Sequence, residues 1–481
     1  MDIRLYNTAV RDKELFRPLK EGKVGMYVCG VTVYDLCHIG HARSAIVFDV
    51  LSRYLRARGF DVIYVRNFTD IDDKIINRAR ELGKETKEIA EYYIQAFYED
   101  MGRLYVKKAD HEPRATEHID GMIDMVKRLL EKGHAYTADG DVYFSVESFP
   151  DYGSLSGRKL DDMIAGKRVK VGEKKRHPMD FALWKAAKPG EPYWDSPWGP
   201  GRPGWHLECS VMSCHYLGPS FDIHGGGRDL LFPHHENERA QSICANGGIF
   251  ARYWVHNGFV TVESEKMSKS LGNFITIRDA LKLYHPQVTR LFLLSRHYRS
   301  PIDFSKDAVN DMKSALIRAY RTLERLDEIL GPVDMDSIDT SLRDVPGDNG
   351  FISRFVGIMD DDLNTAGAVG LVFEKIREIN KKMEQEKKGD WKTGLQKERN
   401  ELFVAGDILG IFQETPKIFF DQVSEKELPV EVSEIERMIQ ERAEARKKKD
   451  WKKADAIRDK LKEMGILLED TPQGTKWRFD V

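Results

Sequence analysis

Val31-Thr32-Val33-Tyr34-Asp35-Leu36-Cys37-His38-Ile39-Gly40-His41 begins as an apolar run, turns through a polar bend and ends in two histidines flanking a glycine. From Ala42 to Arg58 the spacing predicts a helix, with Ile46, Val47, Val50, Leu51, Tyr54 and Leu55 on one apolar face. Upstream, Lys23 to Val28 is apolar and β-rich. Downstream, Asp61-Val62-Ile63-Tyr64-Val65 predicts a second strand, closed by a polar turn at Asn67-Phe68-Thr69-Asp70. Strand, helix and strand at this spacing form a parallel crossover unit, the seed of a doubly wound α/β sheet. The histidine pair sits where the first strand hands over to the helix. Unpaired backbone N–H groups and the positive end of the helix dipole attract phosphate at such a place. Gly40 has no side chain to keep a flat ring or a phosphate away from the backbone.

Composition narrows the class. The 481 residues suit several domains and a large core, and 41% hydrophobic with 32% charged residues describes a globular, somewhat charge-rich chain. A net charge of −3 argues against a uniformly basic nucleic-acid binder, though not against a local basic patch. No apolar run approaches the ~18 residues of a membrane span, and Met1-Asp2-Ile3-Arg4-Leu5-Tyr6 lacks the pattern of a signal peptide. Five cysteines spread through a long chain do not make a disulfide framework, so a reducing, cytoplasmic location is expected.

Further along, helices are predicted from Ile71 to Tyr105 and from Thr116 to Lys132. Residues 135–147 alternate around Asp139-Gly140, a hairpin signal. Residues 110–205 read as an insertion of hairpin and loops, and the sheet is expected to resume at Phe221-Asp222-Ile223-His224 and Tyr253-Trp254-Val255-His256. Beyond residue 305 the periodicity is helical, over Ala308–Leu330, Phe351–Asp360, Ala366–Lys387 and Leu395–Gly410, which predicts a bundle over 306–414. Residues 415–431 read as a linker. A small α/β unit over 425–481 follows, opened by the capping box Ser433-Glu434-Ile435-Glu436 and closed by a terminal hairpin.

Two further segments carry chemistry. In Pro233-His234-His235-Glu236-Asn237-Glu238, His234 and Glu238 are four apart and share one helical face. Cys29 ends the first strand, and Cys209 follows Trp205-His206-Leu207-Glu208. Two thiolates, an imidazole and a carboxylate would close a four-ligand, mononuclear zinc site. Cys37, Cys214 and Cys244 have no such partners and read as buried small hydrophobes. Lys266-Met267-Ser268-Lys269-Ser270 is a cationic loop after the strand Gly258–Val262. In isolation it reads as a solvated loop; beside the histidine turn it can close over a polyphosphate.

Together these segments resemble the class I aminoacyl-tRNA synthetases, and within them the cysteinyl-tRNA synthetase family. His38-Ile39-Gly40-His41 and Lys266-Met267-Ser268-Lys269-Ser270 match the two class I signatures without substitution. Tyr27 to Asp35, Asn67 to Lys74, Gly204 to Ser210, Asp222 to Leu230 and Pro233 to Glu238 match text particular to that family. The resemblance is dense to about residue 305, where a Rossmann-like catalytic domain (1–305, including 256–305 around the lysine loop) would end, and returns weakly at 445–465.

The resemblance implies ATP-dependent activation of L-cysteine to an adenylate, then transfer to the terminal adenosine of tRNA(Cys). One zinc ion per chain would be held by Cys29, Cys209, His234 and Glu238 and would select the thiol. Thr69, Trp205 and His224 would line the amino-acid pocket, and His38 and His41 would contact phosphate with Gly40 under the adenine. Asp229 would bind ribose, Lys266 and Lys269 would grip pyrophosphate, and Mg²⁺ would accompany ATP. A monomer is expected. The C-terminal units would bind the anticodon stem-loop. Between Arg442 and Lys462, ten basic against four acidic residues, with Lys448 and Lys452 around Trp451, make a surface suited to backbone phosphates and a stacked base. Three rivals compete: a ligase joining cysteine to an amino-sugar, a zinc hydrolase using Glu236 or Glu238 as base, and a non-catalytic RNA-binding protein. The basic C-terminal patch, a metal closed by four protein ligands, and the intact lysines and histidines argue against each in turn.

Overall fold

The computed structural model describes residues 2–159, 174–263, 265–266, 274–345, 347–385, 390–427, 432–448, 450–463, 466–471 and 474–479. A short hairpin, β1 (Arg4–Asn7) and β2 (Asp12–Leu15), precedes the crossover unit. That unit is β3 (Lys23–Thr32), helix α1 (Ile39–Ala57) and β4 (Asp61–Thr69), with β3 and β4 parallel from Lys23↔Asp61 to Thr32↔Thr69. The helix begins at Ile39 rather than Ala42, because the histidine pair itself builds its first turn. The strand runs through the expected turn at Asn67–Asp70, because Phe68 is a core residue and Val33 N–H bonds the Thr69 carbonyl. The helical stretch at 71–105 is two helices, Asp73–Leu82 and Thr86–Arg103, divided at Gly83, whose φ of +61° ends the first in a left-handed cap.

The insertion is more ordered than a hairpin with loops. Strands β5 (Ala135–Ala138), β6 (Asp141–Phe144), β7 (Phe181–Ala186) and β8 (Gly201–Pro203) make one antiparallel sheet in that order. The parallel sheet resumes as expected, in β9 (Phe221–Gly227) and β10 (Ala251–Asn257), and its order is β10–β9–β3–β4. Side chains of β3 alternate between two cores. Met26 and Val28 join Ile46, Val50 and Leu51 of α1, whereas Tyr27 and Cys29 face Leu207, Cys209 and Met212 on the opposite side. Helices therefore cover both faces, as in a doubly wound fold. Each of those fully buried aliphatic side chains contributes roughly 1.5–3 kcal/mol, which is what holds α1 on the sheet.

Three short strands follow: β11 (Val260–Val262), β12 (Glu265–Lys266) and β13 (Ile302–Asp303), in the order β12–β11–β13. The bundle comprises Lys306–Leu330, Phe351–Asp360, Thr365–Glu384 and Trp391–Leu409, and its apolar faces are continuous with the α1 core. Where a linker was expected, Pro416–Glu427 is a fifth helix. Its Phe419 is fully buried and stacks on Tyr320 with ring centroids 3.8 Å apart, apolar content too sparse to register as a periodic face. The C-terminal unit has helices Val432–Lys447 and Trp451–Glu463, then the hairpin β14 (Ile466–Thr471) and β15 (Gly474–Phe479). Among the described residues no helix is long and apolar enough to cross a membrane, and all five cysteines are free thiols.

Candidate active site

The histidine turn builds its own geometry. His38 is the N-cap of α1, and its Nδ1 accepts from Gly40 N–H at 3.0 Å; His41 Nδ1 accepts from His38 N–H at 3.3 Å. This is a capping box made from two imidazoles. The rings stack at 3.7 Å. Burial first, then the proximity of His38 and Lys74, holds His41 well below the ordinary imidazole value, so its ring is neutral. A neutral ring whose Nδ1 accepts has its hydrogen on Nε2. The turn thus combines ring donors with the positive end of a helix.

The second cluster lies on the other side of the strand ends. The register of β3 against β4 shifts between Val28 and Val31, and Gly30 N–H bonds the Asn67 side chain at 2.9 Å in place of a ladder partner. A Cβ at Gly30 would sit 1.6 Å from the Asn67 carbonyl oxygen, so only glycine fits this bulge. Beside it, Cys29 Sγ lies 3.6 Å from Cys209 Sγ and 3.3 Å from Glu238 Oε1; Cys209 Sγ lies 3.6 Å from His234 Nε2. His234 Nε2 and Glu238 Oε1 are 2.9 Å apart, as their i,i+4 spacing foresaw. Tetrahedral zinc with thiolate, imidazole and carboxylate ligands separates them by about 3.3–3.8 Å, so the donor set matches along its sulfur edges and is tighter at the imidazole–carboxylate edge.

Charge in this cluster suits a dication. Burial raises Cys209, but the Cys29 and His234 hydrogen bonds outweigh it and bring the thiol down to about 6. Despite burial, the Glu238 and Cys209 charges hold His234 at about 10. Burial, the Cys209 hydrogen bond and two neighbouring anions push Cys29 well above its usual range. A cation among the donors would let both thiols ionise together. Supporting groups fix the ligands. His224 Nε2 is 2.8 Å from Glu238 Oε2, His206 Nδ1 is 2.8 Å from His234 Nδ1, and the Trp205 ring stacks on His234 at 4.1 Å. A second group with metal-binding geometry, Cys29, His224, His235 and Glu238, shares two of these residues. It holds one thiol instead of two, so the first set is the better zinc site.

A cleft of about 430 Å³ is lined by Cys29 of this cluster and by Trp205 as well as by His38, Gly40 and His41, with Asp229 on its wall. Thr69 and His224, expected to line a pocket, are buried and are not among the residues that line this cleft; the Thr69 hydroxyl donates to Glu208 at 2.8 Å. Lys266 pairs with Thr261 in the backbone, while Lys269 falls outside the described residues. Past the lysine loop the chain returns to the histidine turn: Phe274 meets the His38 ring edge-on at 5.2 Å, and Ile39 N–H bonds the Ile275 carbonyl at 3.2 Å. Lys448, Trp451 and Lys452 are exposed around the turn between the last two helices, far along the chain from the cleft. Sequence reasoning overlooked Lys74, an exposed cation on the cleft wall, and Arg43, a buried cation on the apolar face of α1. Arg43 left one signal: it stands a turn before Ile46 on a face otherwise apolar.

Comparison with known proteins places these features in context. Residues 15–314 match the model described as tRNA synthetases class I (C) catalytic domain, 354–413 a DALR domain, and 429–478 the cysteinyl-tRNA ligase anticodon binding domain. The chain is 55% identical to a protein named cysteine–tRNA ligase from Geobacter metallireducens, covering 99% of this chain and all of that one. It is 51% identical to the protein of that name from Thermodesulfovibrio yellowstonii, over the full length of both. A Mycobacterium tuberculosis methionyl-tRNA synthetase bound to methionyl-adenylate shares the fold, with a TM-score of 0.58 at 15% identity, over 84% of this chain and 94% of that one.

Proposed function

Because the chain belongs to the cysteine–tRNA ligase family of class I aminoacyl-tRNA synthetases, we infer that it activates L-cysteine with ATP and transfers it to the 3′-terminal adenosine of tRNA(Cys). One observation carries the assignment of the site: Cys29 of the Cys29–Cys209–His234–Glu238 cluster lines the same cleft as His38, Gly40 and His41 of the histidine turn. Zinc bound there would supply a Lewis acid that takes a thiolate far more readily than a hydroxyl, and so distinguishes cysteine from serine. A pocket reading size alone would gain only about 1–3 kcal/mol.

The reaction needs no side-chain nucleophile. The cysteine carboxylate attacks the α-phosphate, the bond to the β-phosphate breaks, and pyrophosphate leaves. The ribose hydroxyl of the tRNA then attacks the acyl carbon and AMP leaves. The protein contributes position and charge. His38 and His41 offer ring N–H groups to the phosphates at the α1 N-terminus. Gly40 lies beneath the adenine and Asp229 accepts from the ribose hydroxyls. Lys266 and Lys269 neutralise the departing pyrophosphate, with Mg²⁺ accompanying ATP. Trp205 walls the amino-acid pocket, and Thr69 and His224 shape it. Lys448, Trp451 and Lys452 contact tRNA. The enzyme works as a cytoplasmic monomer.

Loading of cysteine onto purified tRNA(Cys) tests this reading. Charging that depends on ATP and cysteine is the expected result, and cysteine activation without any charging would instead support a ligase with another acceptor.

A further inference from the structure

Arg43 is a buried charge that this mechanism does not use. It lies on α1 just past His41 and is fully buried, and among the described residues no carboxylate pairs with it. Among the described residues its guanidinium bonds only backbone carbonyls, from two segments distant in sequence. Nη1 donates to Gly258 at 3.2 Å and Phe259 at 2.7 Å; Nη2 donates to His297 and Tyr298, each at 3.3 Å, and to Ser300. The two segments are fitted closely. Gly258 N–H bonds the Tyr298 carbonyl at 2.8 Å, and a Cβ at Gly258 would fall 2.6 Å from the Ser300 oxygen. Phe259 and Val260 then line the cleft, and β11 continues toward the lysine loop, with Thr261 opposite Lys266.

The same turn is also gripped by the bundle. Asp362 stands between helices Phe351–Asp360 and Thr365–Glu384, fully buried, in a left-handed conformation with φ +64°. Its carboxylate accepts from the Tyr298 hydroxyl at 2.7 Å, from Arg299 Nε at 2.7 Å and from Tyr6 N–H at 2.8 Å, and lies 3.4 Å from His297 Nε2. Arg43 thus holds the backbone of residues 297–300 while Asp362 holds their side chains.

We propose that Arg43 and Asp362 are positioning residues that clamp the 297–300 turn, one by its backbone and the other by its side chains, and thereby keep the strand leading to the lysine loop in register with the histidine turn. The proposal rests on the function inferred above, in which that loop meets the pyrophosphate. A guanidinium can bridge two carbonyl-bearing segments because its donors fan out in a plane; an ammonium, a point donor, cannot span both. Small displacements of positioning groups cost rate far more than binding.

The test compares Arg43→Lys, Asp362→Asn and the double variant in cysteine-dependent ATP–pyrophosphate exchange, with thermal melts alongside. Asn has the shape of Asp and tolerates the left-handed conformation. The expected result is a kcat lowered about tenfold in Arg43→Lys, a smaller fall in Asp362→Asn, a KM for cysteine unchanged within about twofold, and a double variant no slower than Arg43→Lys, because both residues act through one turn. Losses that multiply, or that vanish when rates are normalised to folded protein, overturn the clamp. Should Arg43→Lys not fold, Tyr298→Phe with Asp362→Asn probes the same turn: equal kcat loss singly and together supports the clamp, and an unchanged kcat overturns it. Absence of exchange in the unaltered enzyme would instead refute the function, whereas wild-type exchange with multiplying losses refutes the clamp alone.

Discussion

The backbones of His38 and Thr276 are bridged, so the residue that caps α1 also anchors the chain emerging from the lysine loop. Ile277 N–H reinforces this by bonding the Cys37 carbonyl at 2.9 Å. The histidine turn and the described segment that follows the lysine signature are therefore tied together through their backbones.

His41→Asn separates two duties of that histidine. Asn can still accept from His38 N–H, as His41 Nδ1 does, but it has no counterpart of Nε2. Exchange kcat should fall about 10²-fold or more, as for loss of one preorganised donor, while urea unfolding stays near wild type. His41→Ala should show the same rate loss and an added destabilisation of about 1 kcal/mol from the lost cap.

Stability should also respond to pH through His41. Its folded value is depressed by burial, then by His38 and Lys74, so the unfolded chain binds the proton first. The contribution is fully present above about pH 6.5 and is lost as pH falls from there toward the folded value. Between pH 7 and pH 5, wild type should lose about 1–2 kcal/mol more than His41→Asn. Parallel urea titrations of the two proteins measure the difference; identical slopes would show that His41 protonates freely when folded.

Metal analysis of the purified enzyme should find about one zinc per chain. Cys209→Ser replaces the thiol held at about 6 with a hydroxyl that stays protonated, and should lose most of that zinc. A fully active, metal-free preparation would remove zinc from the mechanism.

Arg290 ties α1 and the end of helix Thr86–Arg103 to the bundle. Fully buried, it bonds Asp49 at 2.5 Å, the Leu409 carbonyl at 2.7 Å and the Leu104 carbonyl at 2.9 Å. Arg290→Met leaves Asp49 with Arg53 at 2.9 Å and the Lys107 N–H at 3.0 Å. The loss should be about 3 kcal/mol, at the low end for a broken buried pair because these partners remain. Denaturant unfolding measures it.

Removing residues 425–481 should leave cysteine-dependent exchange intact and impair charging of tRNA. Trp451→Ala should weaken tRNA binding without affecting exchange, since the exposed indole lies outside the cleft. Equal loss of both activities would place this unit in the catalytic step.

Much of this was legible in the chain because it is written in local pattern. The strand–helix–strand unit, the resumption of the sheet at Phe221 and Tyr253, and the i,i+4 pair His234 and Glu238 all follow from periodicity. What was not legible depends on partners distant in sequence. The extension of β4 through Thr69 is decided by its pairing with Thr32, and the order of the insertion by four strands that recognise each other across loops. Helix Pro416–Glu427 is fixed by Tyr320 rather than by its own propensity. Arg43 belongs to the same class: its five carbonyl partners come from residues 258–300, and no local motif announces them.

The central claim is that one cleft selects a thiol and activates its carboxylate. ATP–pyrophosphate exchange without tRNA, run with cysteine and with serine on the zinc-loaded enzyme, tests it most directly. The account predicts strong exchange with cysteine and almost none with serine. Comparable exchange with both amino acids would contradict it.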